Sequence, residues 1–109
     1  MRIEDVTFGT VDWSRISVTE HPGETGKALW RTIEVGNIRV RMVEYSPGYR
    51  ADHWCSRGHV LLVLQGELIT ELADGTTHTL RTGTSYHVAE DAAPHRSRTA
   101  IGARLFIVD

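Results

Sequence analysis

The length, composition and charge of this chain restrict the kind of protein it can be. Its 109 residues, 40% of them hydrophobic and 24% charged, fit one globular domain with a core of its own. The formal net charge is −2 and basic residues do not cluster, so electrostatics gives no reason to expect nucleic acid or an anionic membrane. We therefore expect neither as a partner.

The cysteine content and the N-terminal residues bear on the compartment. The single cysteine cannot form an intramolecular disulfide, which is typical of a reducing environment. The first residues, MRIEDVTFGT, lack the apolar segment of a signal peptide. No apolar run approaches the roughly 18–20 residues that a membrane-spanning helix needs. These features predict a cytoplasmic protein.

Much of the sequence has the composition and turn spacing of β-strands. A hairpin is predicted where Gly36-Asn37 separates the β-rich segments WRTIEV and IRVRMVEY. The next strand, HVLLVLQGELITEL, begins at His59 and is expected to bend or bulge at Gly66. A tight turn at residues 73–76 then leads into THTL, which gives a second hairpin.

The remaining residues continue the same pattern. Thr82-Gly83 turns the chain into SYHVA, EDAAP forms a loop, and the closing strands are predicted in HRSRTA and ARLFIVD. No segment of about 11 residues or more has the apolar spacing of an amphipathic helix. We expect an all-β sandwich or barrel over residues 28–109, after a less regular N-terminal arm and loop over residues 1–27.

The segment DHWCSRGH, residues 52–59, concentrates residue types that bind metals. On a strand, His53 and Cys55 point to one face because side chains alternate, and Trp54 points to the other. The polar residues that follow can turn the chain so that His59 faces the same cavity. Ordinary core packing is the alternative interpretation, because cysteine is among the most buried residue types.

A fourth ligand has to come from another part of the chain. His95, after the AAP loop, is the candidate, and His87 in SYHVA competes with it if its side chain points inward. Imidazole and thiolate ligands suit zinc, copper, nickel and iron, whereas magnesium and calcium prefer oxygen. Asp52 is expected to accept a hydrogen bond from a metal-bound imidazole. The residue types therefore favour a transition-metal site.

Two groups of residues resemble the two sequence motifs of the cupin superfamily, and the resemblance covers about residues 38 to 108. The first motif begins and ends with glycine and holds three ligands, positions taken here by Gly48, His53, Cys55, His59 and Gly66. Cysteine replaces the usual second histidine of that motif, and histidine replaces the usual glutamate. Gly83 and His95 match the second motif. The string DHWC also resembles the DHCW motif that names a group of small single-domain cupins.

The resemblance implies a small cupin-type β-barrel, that is, a double-stranded β-helix or jelly roll. It implies a divalent transition metal (zinc, iron, nickel or copper) bound by His53, Cys55, His59 and His95. A metal-dependent enzyme of the dioxygenase, isomerase or lyase type, acting on a small molecule, is one expected function. The alternatives are a barrel that binds a small molecule without turnover and a barrel with a structural metal. Cupins of this size commonly dimerise, so we expect a homodimer.

Strand positions suggest roles for other polar and aromatic residues. Arg39, Arg41 and Tyr45 share one face of their strand. We expect this face to point to solvent, because arginines buried without a carboxylate partner are costly; if it lined the barrel, the arginines would bind an anionic substrate. Trp54 is expected to point away from the cavity and to suit a subunit interface. No general base is singled out among Glu67, Glu71 and Tyr86.

Overall fold

The computed structural model describes residues 1–109, which form eight β-strands after one turn of 3-10 helix at Trp13–Arg15. The strands are β1 (Val18–Pro22), β2 (Lys27–Val35), β3 (Ile38–Tyr45), β4 (His59–Leu72), β5 (Thr77–Arg81), β6 (Ser85–Val88), β7 (His95–Arg98) and β8 (Ala103–Val108). Every strand pair is antiparallel. The predicted all-β architecture is confirmed.

The long strand β4 connects the two sheets of the molecule. Hydrogen bonds join the strands in the order β1-β2-β3-β8-β4-β5, and β6 and β7 each pair with β4 as well. The first half of β4 pairs with β6 and β8, and the second half pairs with β5 and β7. A strand that passes from one sheet into another makes a corner, and the sheets here enclose a common interior.

The corner in β4 lies at Gly66, where the sequence predicts a bend. The register of β4 against β8 shifts between Val63 and Gln65, as in a β-bulge, and Gly66 has a φ of 85°. A Cβ atom at Gly66 would lie 2.1 Å from the carbonyl oxygen of Gly102, so the close approach of these segments requires glycine. The predicted turn at residues 36–37 is also confirmed, between β2 and β3.

The bulge decides which side chains of β4 face the interior. Before it, the buried residues have odd numbers, and after it they have even numbers, beginning with Leu68 and Thr70. The largest fully buried side chains of the apolar core are Leu61, Val63, Leu68 and Leu105. Burying one such side chain contributes about 1.5–3 kcal/mol. This phase also points His59, the first residue of β4, into the barrel.

The N-terminal region is more regular than expected. β1 lies within residues 1–27 and pairs with β2 along its whole length, so the predicted boundary after residue 27 falls inside a hairpin. Residues 1–12 contain no strand, but hydrogen bonds from Glu4 to the Asn37 side chain, and from that side chain to Arg2, tie them to the β2–β3 turn. No helix in the structure has the length and apolar character that crossing a bilayer requires.

Candidate metal centre

A cavity of about 420 Å³ lies inside the barrel near the start of β4. Side chains of β2, β3, β4, β6, β7 and β8 line it, together with the segment that precedes β4. Leu61 and Ile107 belong both to the apolar core and to the cavity wall. Six of the eight residues of DHWCSRGH line this cavity, all but Asp52 and Gly58.

Cys55, His59 and His95 come together in this cavity. Each offers one ligand atom, and these atoms all lie within 4.8 Å of one another. His59 and His95 are buried and begin β4 and β7 respectively, whereas Cys55 is half-buried. The main chains of Cys55 and His95 exchange two hydrogen bonds, with N···O distances of 2.7 and 2.9 Å. Main-chain pairing thus holds the thiol segment beside β7.

Hydrogen bonding fixes the position of the proton on the His95 ring. Its Nδ1 lies 2.7 Å from the carbonyl oxygen of Ala93, which can only accept, so Nδ1 carries the proton. Burial lowers the pKa of His95 and so favours the neutral ring. The Nε2 of neutral His95 therefore has a free lone pair, and it faces the Nε2 of His59 at 3.1 Å.

The surroundings of His59 complete a pattern that is typical of metal-binding histidines. Its buried Nδ1 has no hydrogen-bond partner, and a carboxylate oxygen of Asp109 lies 3.6 Å away. Two nitrogen ligands of a zinc-like ion lie about 2.9–3.4 Å apart. The observed Nε2–Nε2 distance of 3.1 Å falls in this range, and each ring turns its other nitrogen towards an oxygen acceptor. With the thiol of Cys55, these residues fit a transition metal.

The structure does not bring His53 into this group. Its side chain is 78% exposed, and its Nδ1 lies 2.6 Å from a carboxylate oxygen of Asp52. The prediction relied on strand alternation, but residues 52–53 form a bend, and of this segment only Cys55 makes a β-bridge. His53 lines the cavity without approaching the other three ligand atoms.

β6 turns Tyr86, and not His87, towards the site. His87 is exposed and does not approach the group, so it does not compete with His95. The hydroxyl of Tyr86 lies 2.9 Å from the Nε2 of His59. Burial raises the pKa of Tyr86, so the phenol keeps its proton. The sequence SYHV predicts that Tyr86 and His87 point to opposite faces of a strand. It contains no signal for which of the two faces inward.

Arg39 and Arg41 also face the cavity, which corrects the prediction that they point to solvent. Their side chains are only 22% and 7% exposed. The carboxylate of Asp109 accepts hydrogen bonds from Arg39 at 2.8 and 2.9 Å and from Arg41 at 3.0 Å. The prediction was based on the cost of burying an arginine without a carboxylate, and Asp109 removes that cost. Asp109 is distant in the sequence, so no local pattern indicates the pairing.

The carboxylate of Asp109 is ionised in this environment. Burial alone would raise the pKa of Asp109, but hydrogen bonds from Arg39, the neighbouring His59 and the charge of Arg41 outweigh burial. They hold the pKa of Asp109 well below its usual range. Asp109 therefore stays negative beside the Nδ1 of His59, a role that sequence reasoning missed.

Trp54 lines the cavity too, whereas the sequence predicts that it points away. It is 41% exposed, and the guanidinium carbon of Arg96 lies 4.4 Å from its ring centroid. The prediction for Trp54 is wrong because the segment between β3 and β4 is not a strand, so side-chain alternation does not hold there. Trp54 and Arg96 together form part of the cavity wall.

Solved structures of other proteins share this architecture at low sequence identity. Fe(II)-HppE with the alternative substrate (S)-1-HPP aligns with a TM-score of 0.75 at 17% identity, over 99% of this chain and 62% of that chain. A predicted oxalate decarboxylase from Thermotoga maritima aligns with a TM-score of 0.75 at 11% identity, over 92% and 96%. A cupin-superfamily sugar phosphate isomerase from Silicibacter pomeroyi aligns with a TM-score of 0.69 at 17% identity, over 92% and 74%.

These likenesses define the class of protein. The molecule is a small antiparallel β-barrel with imidazole and thiol side chains grouped inside, and it has the fold of the cupin superfamily. The predicted cupin-type barrel is confirmed, while the narrower resemblance to the DHCW-motif group stays a prediction. No protein-family model matches the sequence, and no curated protein sequence matches it. Function is therefore argued from the site and not from the fold.

Proposed function

We propose that this chain binds a divalent transition metal through Cys55, His59 and His95 and uses it to act on a small molecule in the cavity. The supporting observation is that the Nε2 atoms of two buried histidines face each other at 3.1 Å beside a thiol. An ion between them would use both lone pairs. The Nδ1–H of His95 would still donate to the carbonyl of Ala93, and the Nδ1–H of His59 would point towards Asp109. Metal-bound imidazoles usually have such an acceptor at their other nitrogen.

The ligand set favours a catalytic over a structural metal. Catalytic zinc sites use three protein ligands and keep a position for water or substrate, whereas structural sites use four. Thiolate and imidazole suit zinc, iron, nickel or copper. When bound, such a metal supplies a Lewis acid or a redox centre. We propose a reaction of the dioxygenase, isomerase or lyase type, a range supported by structural neighbours named as an Fe(II) protein, a sugar phosphate isomerase and a predicted oxalate decarboxylase.

Residues around the ligands prepare the site for this chemistry. Asp109 favours the His59 tautomer that carries its proton on Nδ1, which frees Nε2 for the metal. Tyr86 keeps its proton, and its hydroxyl lies 2.9 Å from that Nε2. Once a metal takes the lone pair of Nε2, the hydroxyl would be free to donate to an oxygen atom of a bound substrate. The carbonyl of Ala93 accepts a hydrogen bond from the Nδ1 of His95 and so fixes that ring.

Elemental analysis by mass spectrometry tests the metal assignment. Protein purified without an affinity tag or added metal is expected to contain near-stoichiometric zinc, iron, nickel or copper. Cys55→Ser and His95→Gln are expected to lower metal affinity by about 10-fold or more, while circular dichroism shows an intact barrel. His87→Gln removes an exposed histidine from β6 and serves as the matched control, with unchanged metal content. Metal-free wild type that takes up none on reconstitution would overturn the proposal.

His53 provides the finer test, because the sequence predicts it as a ligand and the structure leaves it outside the group. We expect His53→Ala to keep its metal, since the side chain is 78% exposed and bonded to Asp52. Loss of metal in this variant would restore the four-ligand set. Metal loading without turnover of any substrate would leave a small-molecule-binding cupin. The homodimer and the cytoplasmic location stay predictions.

A further inference from the structure

The cavity beside the proposed metal group is lined by positive charge and by no negative charge. None of its 18 lining residues is Asp or Glu, although the whole chain has a formal net charge of −2. Four of the lining residues are arginines: Arg39, Arg41, Arg57 and Arg96. Glu71, outside the cavity, pairs with Arg96. Arg57 is exposed, so water screens its charge. The charge that concerns a ligand is therefore that of the arginines on β3.

Arg41 has hydrogen-bonding capacity that no protein group uses. Arg39 binds both oxygens of Asp109 through Nε and Nη2, whereas Arg41 shares only one of these oxygens through Nη2. The Nε of Arg41 is buried without a hydrogen-bond partner, in a side chain that is 7% exposed. Two guanidinium groups and one carboxylate leave one positive charge unbalanced. A buried charged donor without an acceptor is costly, and a ligand in the cavity would supply that acceptor.

From this geometry we infer that the cavity takes a small organic monocarboxylate whose carboxylate binds Arg41. The inference rests on the proposed function, since it names the substrate class of that same site. The guanidinium of Arg41 lies over Trp30, 4.4 Å from the ring centroid, which restricts its orientation. The apolar part of the ligand contacts the aromatic wall and points its reactive end at the metal group. That wall consists of Tyr45, Tyr49, Trp54 and Tyr86.

The geometry and the local charge of Arg41 fit a carboxylate. A guanidinium edge matches two oxygens in one plane, and the Arg39–Asp109 pair forms this arrangement here at 2.8 and 2.9 Å. The group of Arg39, Arg41 and Asp109 has one unbalanced positive charge, which one carboxylate neutralises. A cavity of about 420 Å³ has the size of a small-molecule site.

Calorimetric titration with pairs of acids and their amides tests the inference. The probes are acetate, benzoate and phenylacetate, each against its primary amide, with methylphosphonate as the phosphate-like anion. The same titrations are made on metal-free and metal-loaded wild type. At least one acid is expected to bind about tenfold more tightly than its amide, because only the acid completes a charged pair with Arg41. Arg41→Gln is expected to remove this preference. Arg104→Gln, which changes an exposed arginine of β8, is expected to keep it.

Each other outcome counts against the inference. It fails if no acid binds better than its amide, if Arg41→Gln keeps the preference, or if methylphosphonate binds more tightly than every carboxylate. Should Arg41→Gln not fold, Arg41→Lys keeps the charge and loses the planar edge, and unchanged acid affinity in that variant overturns the inference.

The two proposals fail in different ways. If the protein takes up no metal but binds an acid more tightly than its amide, the metal assignment is wrong and the anion site is supported. A metal-loaded protein without the preference would sink the anion site alone.

Discussion

Two groups in this barrel each join one carboxylate to two arginines, and they differ in their exposure to water. The cavity group is Asp109 with Arg39 and Arg41, and the rim group is Glu71 with Arg96 and Arg98. The hydrogen bonds measure 2.8–3.0 Å in the cavity group and 3.2–3.4 Å in the rim group. The Asp109 side chain is fully buried, whereas that of Glu71 is 23% exposed.

The cavity group and the rim group therefore contribute differently to stability and to the site. Water screens the rim group, so its hydrogen bonds contribute little to stability. The cavity group is out of water, and each of its charges depends on the others for compensation. The rim group packs on Trp54 through Arg96. The cavity group keeps one donor of Arg41 without a partner and places the Asp109 carboxylate 3.6 Å from the Nδ1 of His59.

Changing each carboxylate to its amide separates the groups most sharply. Asp109→Asn leaves two buried guanidinium groups without counter-charge, and we expect the free energy of unfolding to fall by about 3–5 kcal/mol. Glu71→Gln leaves arginines that water can reach, and we expect a clearly smaller loss. Urea denaturation of the metal-free proteins measures both. Equal losses would mean that burial does not distinguish the groups.

Acid should weaken the cavity group in a predictable direction. The folded-state pKa of Asp109 lies below its unfolded value, so its stabilisation is complete above about pH 4 and is lost as the pH falls further. The stability difference between wild type and Asp109→Asn should shrink by about 1.4 kcal/mol for each pH unit below that value. Hydrogen bonds from Arg96 also lower the pKa of Glu71, so Glu71→Gln should show the same sign with a smaller slope. A difference that stays constant down to about pH 2 would contradict the assignment.

Salt should weaken the coupling free energy of the rim group and leave that of the cavity group nearly unchanged. Double-mutant cycles give the coupling free energy of the Arg39–Asp109 pair and of the Arg98–Glu71 pair at low salt and at about 1 M sodium chloride, where the Debye length is about 3 Å. We expect the rim coupling to fall towards zero. The cavity coupling should change by less than about 0.5 kcal/mol, since ions do not enter a buried pair. A cavity coupling that disappears with salt would show that water reaches Asp109.

Local signals were enough to predict most of the fold. The turns at residues 36–37 and 73–76 depend on glycine within a few positions, and both produce the expected hairpins. The bend at Gly66 follows from close backbone contact with Gly102, which only a residue without a side chain permits. The motif spacing also located His59 and His95, which meet in the cavity.

The rest of the site depends on contacts between distant segments. The arginines of β3 point inward, where they pair with Asp109, the residue that follows β8. No sequence pattern within either strand indicates this pairing. Trp54 was predicted to point away from the cavity because strand alternation was applied to a segment that bends. Side chains alternate between two faces only where consecutive residues are in a paired strand. In this segment, only Cys55 pairs with another strand.

The sharing of β4 between both sheets has a consequence for cooperativity. Its first half pairs with β6 and β8 and its second half with β5 and β7, so neither sheet keeps its partners if this strand detaches. Local openings that release only one end of the barrel are confined to edges and termini. The proposed ligand His59 is the first residue of this strand, so its position in the site depends on the pairing that joins both sheets of the barrel.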